Sequence, residues 1–405
     1  MPRVIFVNRY FAPDHSATSQ ILSDLAFHVA SRGFETHVVC GDTLYADKGQ
    51  RLLAEERIKD VNVHRVPGGR FGRSGLAGRA IDYVGLYASL RRRLTKLLQP
   101  GDILVAKTDP PLLSVPIAGL ARSRNAIFVP WLQDLYPEVA AALGVPLIAG
   151  IGGRALSAVR DNSLKRASAI VTIGARMQDR LVARGIASNR THVIPNWSDD
   201  EDIQPVPRDA NPLRALWELR DKFVVGYSGN LGRAHEFQTL LAAAELLRTR
   251  DDLAFLFIGG GHHVDQLRSE THSRGLEHLF HFQPYQDRSK LSQSLSVPDV
   301  HWLSLRPELE GLIVPSKFYG IAAAGRPVIN IAAHDGEIAG LVSKFACGVT
   351  VAPGAGGNLA QEISTLLRSP ETLAAMGLNG RKMLSDHFSR RRAMLRWEEL
   401  LRSLQ

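Results

Sequence analysis

Several short stretches of the chain carry residue types whose spacing suits chemistry on an anion or a sugar. In "GYSGNLGRAH", residues 226–235, Gly229 and Gly232 sit in a turn between an apolar run and a helical stretch. Backbone amides can approach an anion there, Arg233 can reach a phosphate, and the helix dipole adds to the attraction. "FIGGGHH", 257–263, is a second such turn, its successive glycines leaving amides open to a diphosphate or a base edge. His262 and His263 follow it, but neighbouring helical residues point about 100° apart and no acid or cysteine completes a ligand set, so no metal is expected. "FAPDHSATSQ", 11–20, offers amides near Ala17, Thr18 and Ser19 at a helix start, with Asp14 or Ser16 available as its cap. "PWLQDLYPEVA", 130–140, sets Gln133, Asp134 and Glu138 beside Trp131 and Tyr136. Rings on an apolar sugar face with acids on its hydroxyls would grip an acceptor; a helix start capped by Asp134, with Pro137 in its first turn, fits equally. "LEGLIVPSKFYGIAAAGRPVIN", 309–330, holds Ser316 and Lys317 between glycine-bounded apolar segments. It reads as a phosphate cradle, as core with one stray lysine, or as a catalytic motif that has lost its acids.

These residues need elements to position them. "RVIFVNRY", "SQILSDLAFHVASRG" and "ETHVVCG" form a β-α-β pattern, with Ile21, Leu22, Leu25, Ala26 and Val29 at helical spacing and Gly33 at the helix end. The alternation continues to "THVIPNW", breaks at the acidic, proline-rich residues 197–222, and restarts at "FVVGYSGN". Two Rossmann-like domains joined by a linker are therefore expected, in keeping with 405 residues, too many for one core. Asp200 and Asp202 of "DDED" fall in that linker and read as solvated charge. The net charge of +9 calls for an anionic partner. Cys40 and Cys347 suggest neither a disulfide framework nor zinc, and the N-terminus lacks the pattern of a signal peptide, so a cytoplasmic location is expected. "VAAALGVPLIAGIGG", 139–153, is too short and broken to span a bilayer but could lie against one. Basic clusters at 68–79 and 90–96, interleaved with Phe71, Leu76, Leu90 and Leu94, suit peripheral association with an anionic membrane. They lack a recognised module or stacking platform for nucleic acid.

The order of motifs resembles a known family. A strand-loop-helix start, "VIPNW", "GYSGN", "GGG", "PSK…AAAGRPVI" and "LAAMGLNGRKMLSDHFS" together look like a retaining glycosyltransferase of family 4, and the likeness covers essentially the whole chain. "YFAPD", "QDLYPE", "GNLGRAHEF" and "VPSKFYGIAAAGRP" are most similar to bacterial colanic-acid and O-antigen transferases of the fucosyl and N-acetylfucosaminyl type. The resemblance implies an α/β GT-B fold: an acceptor-binding domain over 1–196, a linker at 197–222, a nucleotide-sugar domain over 223–380, and a final helical segment, 381–405, returning to the first domain. The two domains would face a central cleft.

It further implies transfer from a nucleotide-diphosphate sugar to a lipid-linked or polysaccharide acceptor, without cofactor or metal and with the anomeric configuration kept. Arg233 and Lys317 would stabilise the diphosphate as the catalytic cations. Gly229, Asn230, Gly260 and Gly261 would line the donor site, with Gln283 and Tyr285 near the base and Glu310, Ser316 and Gly320 completing it. Ala17, Thr18, Asp134 and Glu138 would face the acceptor. The chain departs from the family pattern at instructive places. Asn230 and His235 stand where the family has arginine and lysine, and Leu312 and Gly320 where it has two glutamates, so Lys317 is the replacement cation, with Ser316 and Glu310 nearby. A nucleotide-sugar epimerase or hydrolase, or a non-catalytic nucleotide-binding partner, would be the alternatives on the same fold.

Overall fold

The structure, a computed structural model, describes residues 3–45, 47, 49–68, 75–148, 150–198 and 200–405. Residues 69–74 of the basic stretch at 68–79, Phe71 among them, and Asp199 of the acidic tract therefore lie outside the described residues. The chain divides into two compact units, Met1–Pro195 with Ala393–Gln405, and Asn196–Arg392.

The first unit runs β1 (Arg3–Val7), α1 (Ala17–Ser31), β2 (Glu35–Gly41), β3 (Glu55–Ile58), β4 (Val61–Val66), α2 (Gly75–Leu97), β5 (Ile103–Lys107), α3 (Ser114–Ser123), β6 (Ile127–Leu132), α4 (Glu138–Ala142), α5 (Ile151–Lys165), β7 (Ile170–Thr172), α6 (Ala175–Ala183) and β8 (Thr191–Val193). Its sheet has the order β3-β4-β2-β1-β5-β6-β7-β8, parallel except for the β3–β4 pair. Val4, Ile5, Phe6 and Val7 are all buried, as a parallel strand covered on both faces requires. The chain winds outward in opposite directions from β1 and β5, so the loops after these strands open at a topological switch point, the usual place for a ligand.

The second unit runs α7 (Pro212–Leu216), β9 (Phe223–Asn230), α8 (Gln238–Leu246), β10 (Leu253–Gly260), α9 (Val264–Ser273), β11 (Phe280–Gln283), α10 (Leu291–Leu295), β12 (Val300–Ser304), α11 (Lys317–Ala323), β13 (Val328–Ile331), α12 (Glu337–Phe345), β14 (Gly348–Val351), α13 (Gly356–Leu367) and α14 (Pro370–Met383); α15 (Arg390–Ser403) ends the chain. Its sheet, β11-β10-β9-β12-β13-β14, is wholly parallel. Alternation along the strands divides two cores. Val225, Tyr227, Phe255 and Phe257 join one, while Val224, Ala254, Leu256 and Ile258 join the other.

Two expectations are corrected. Residues 197–222 are not a free linker: Leu213, Trp217 and Leu219 pack on the sheet, and buried Arg214 lies 3.2 Å from Asp299, which also accepts from Val224 N–H at 2.7 Å. The prolines mark turns, but the segment is anchored by a carboxylate far along the chain. The last part of the chain is likewise divided: α14 belongs to the second unit, and only Ala393–Gln405 joins the first. There Trp397 is buried with its ring 4.8 Å from Trp131, and Glu398 accepts from Arg32 at 3.0 Å.

Candidate functional site

In the second unit the turns after β9 and β10 are stitched together, Leu231 N–H donating to Gly260 O at 2.8 Å and His263 N–H to Leu231 O at 3.1 Å. Gly229 has φ +122°, and a Cβ on it would lie 2.6 Å from Lys317 Cε. A side chain at 229 would thus block the path by which Lys317, the first residue of α11, reaches this turn. The Lys317 ammonium sits 5.2 Å from the Tyr227 ring centroid and 3.4 Å from His235 Nε2. His235 Nδ1 lies 2.7 Å from the Ser304 carbonyl. Since a carbonyl only accepts, Nδ1 carries the proton and Nε2 presents its lone pair to Lys317. Burial, reinforced by the lysine charge, lowers the His235 pKa to about 4, and burial lowers that of Lys317 to about 8. A neutral histidine therefore holds a lysine that still carries its charge at neutral pH.

The other expected donor residues are placed unevenly. Gly260 packs under Tyr285, whose Cε2 would be 3.1 Å from an added Cβ, and Gln283 closes β11 beside them in sequence. Asn230 and Arg233 are exposed on the turn, Arg233 close enough for its charge to depress the His263 pKa alongside burial. Gly261 borders Leu231, and Ser316 immediately precedes α11 without capping it. The Glu310 carboxylate accepts from Glu337 N–H at 3.3 Å, at the start of α12. Gly320 supplies no side chain, and its Cβ position would face Ser198 Oγ at 3.6 Å. His235, absent from the expected donor-site residues, lies against Lys317 together with Tyr227 and Gly229.

In the first unit, the switch-point loops gather a second cluster. Lys107, fully buried at the end of β5, donates from Nζ to Thr18 O at 2.7 Å and lies 4.7 Å from the Trp131 ring centroid. That contact fixes the first turn of α1. Asp14 bonds the Ser16 amide and hydroxyl, so Ser16 leaves α1 without a side-chain cap, next to Ala17 and Thr18. A small cavity is lined by Lys107, Thr108, Leu112, Asp134, Tyr136 and Arg160. Burial raises Asp134 to about 6, helped by the charge of Asp109; burial raises Asp109 also to about 6, and lowers Lys107 to about 7 against the pull of both carboxylates. Arg9 lies 5.0 Å from the Tyr10 ring and 5.3 Å from that of Tyr83.

Asp134 thus lines a cavity, but Glu138 is held within the protein. Buried Arg160 grips it at 2.7 Å, Ser157 Oγ donates to it at 3.0 Å, and Arg160 also pairs with Asp161 at 2.7 Å. Glu138 is not among the residues lining the cavity, but it holds Arg160, which is. Of the basic stretch at 90–96, Leu90 and Leu94 are core residues and cannot meet a lipid surface, whereas Arg91, Arg92 and Lys96 are exposed. The helical phase explains the correction, since the leucines and the basic residues occupy opposite faces. Among the described residues, no group of three His, Cys, Asp or Glu could hold a metal ion, and no helix is long and apolar enough to cross a membrane.

Residues 17–197 match the family described as "Glycosyl transferase 4-like domain", and residues 213–383 match "Glycosyl transferases group 1". The chain is 27% identical over 301 residues to the probable glycosyltransferase WbjE of Pseudomonas aeruginosa, covering 73% of each chain. It is 29% identical over 232 residues to the putative colanic acid biosynthesis glycosyl transferase WcaI of Escherichia coli K12, covering 56% of each. Among solved structures, Anabaena HepE in complex with UDP and glucose superposes with a TM-score of 0.74 at 19% identity, covering 100% of both chains. With its two parallel-sheet units matched in turn by glycosyltransferase families, the chain is a member of the GT-B glycosyltransferases.

Proposed function

We propose that the protein transfers a sugar, with retention of anomeric configuration and without a metal, from a nucleoside-diphosphate sugar to a lipid-linked or polysaccharide acceptor in cell-surface glycan synthesis. It would act at the inner face of the cytoplasmic membrane. The observation that carries the reading is the Lys317 ammonium, threaded past Gly229 and held against neutral His235. A fixed cation beside glycine-rich turns is what a departing diphosphate needs, because charge builds on the phosphate oxygens as the glycosidic bond breaks. In same-face attack, the acceptor oxygen bonds the anomeric carbon while its proton passes to the departing phosphate oxygen. Asp134, in the cavity of the first unit, would orient the acceptor hydroxyl, and Arg233 would add charge from the exposed turn. UDP in the HepE structure and the glycan-related naming of WcaI support this donor and acceptor class.

The test begins with a binding panel of UDP, GDP, ADP and dTDP and continues with donor turnover using membrane-extracted lipid acceptor. Lys317→Ala should lower turnover about 10²-fold or more, equivalent to roughly 3 kcal/mol of barrier, while its melting temperature stays near that of the parent. Near-normal turnover of that variant would remove Lys317 from the mechanism.

A further inference from the structure

The helices α2, α3 and α5 of the first unit form one layer, with α3 packed between the other two. Their carboxylates are Asp82 and Asp161, and both are buried. A water-facing helical surface ordinarily carries both signs of charge; this one presents aliphatic side chains and cations. Ile81 and Val84 on α2 are 57% and 67% exposed, Ile151 at the start of α5 is 85% exposed, and Leu156 and Val159 follow on the same helix. Arg91, Arg92, Arg122, Arg154, Lys165 and Arg166 are exposed on the same three helices or at their ends. The spacing is helical. Ile81, Val84, Ala88 and Arg91 fall on one face of α2, and Ile151, Arg154, Val159 and Lys165 near one face of α5.

We infer that this face docks on an anionic phospholipid bilayer. Single exposed aliphatic residues are unremarkable, but a run of them that passes into cations, with no exposed acid on the three helices themselves and Glu55 of β3 paired to Arg93 beside them, has a specific physical match. Aliphatic side chains enter the acyl boundary while guanidinium and ammonium groups meet headgroup phosphates. Nucleic acid would satisfy the cations and leave the aliphatic groups without a partner. The inner face of α5 strengthens the assignment, because it carries Arg160 into the cavity that Asp134 and Tyr136 also line. A bilayer on the outer face would lie about 10 Å away, one helix diameter, so a lipid-anchored substrate would arrive beside that cavity. This last step rests on the proposed lipid-linked acceptor; the docking itself is read without donor or acceptor, so failure to bind and failure to transfer are separate results.

The experiment is co-sedimentation of the full chain with vesicles of phosphatidylcholine alone or mixed with phosphatidylglycerol. Binding to the anionic vesicles should be tighter by about tenfold or more and should weaken with added salt. The triple variant R91E/R92E/K165E should lose about tenfold or more of that affinity. The variant I151S/V159S should bind less tightly at every salt concentration. Hydrogen exchange of the unmodified chain, which needs no variant to fold, should show protection on α2 and α5 when anionic vesicles are added. Equal binding to both vesicle types, unaltered binding by both variants, absence of that protection, or tighter binding to a random oligonucleotide than to anionic vesicles would each overturn the inference.

Discussion

His235 donates from Nδ1 to the Ser304 carbonyl, which commits Nε2 to accept and keeps the proton on Lys317. Activity that needs the ammonium should therefore fall as pH rises through about 8, where free Lys317 loses its proton. On the acid side, Asp134 and Asp109 ionise near 6, so kcat/KM should rise through that value if a carboxylate receives the acceptor hydroxyl. A bell with limbs near 6 and 8 is the expected profile. His235→Ala admits water to the lysine and relieves the burial that holds its pKa down, so the alkaline limb should move upward while kcat falls; a limb fixed near 8 would dissociate the histidine from Lys317. Gly229 and Lys317 are both legible in the sequence as candidate residues. That one is glycine so that the other can pass is legible only in three dimensions. The imidazole tautomer was also out of reach, because Ser304 lies on a different strand. The bond from the Glu337 amide to Glu310 is likewise visible only in the fold, since the two residues lie 27 positions apart.

The alternation of β-branched runs with amphipathic stretches makes most strands and helices readable in the sequence, since parallel sheets covered on both sides demand those patterns. Segment 197–222 misled because proline and acid density report local turns, whereas its anchoring depends on Asp299 and Arg214 meeting across the unit. The junction of α4 and α5 has the same character. Glu138 looked like a ligand for substrate, yet Arg160 holds it together with Asp161 and the Tyr136 carbonyl. Arg160→Ala leaves two carboxylates without their buried partner and should destabilise the first unit by about 3 kcal/mol, measurable by urea denaturation. If stability is unchanged while acceptor KM rises, the network serves the cavity alone.

Each unit has its own sheet and core, but the first draws residues from both ends of the chain. Truncation after Arg392 removes Trp397 and Glu398, leaving the Trp131 ring without its edge contact and Arg32 without its carboxylate. The shortened protein should show a red-shifted tryptophan emission and a lower-temperature transition than the full chain; coincident melts would mean that these residues are dispensable for stability. This division also has a temporal side. During synthesis at roughly 5–20 residues per second, the first unit waits on the order of ten seconds or more for its final helix to emerge. Throughout that interval Trp131 and the neighbouring core offer an uncovered apolar patch, a foothold for chaperones and a hazard on a crowded ribosome. Emergence of Ala393–Gln405 closes it, so completion of the first unit waits on synthesis of the entire second unit.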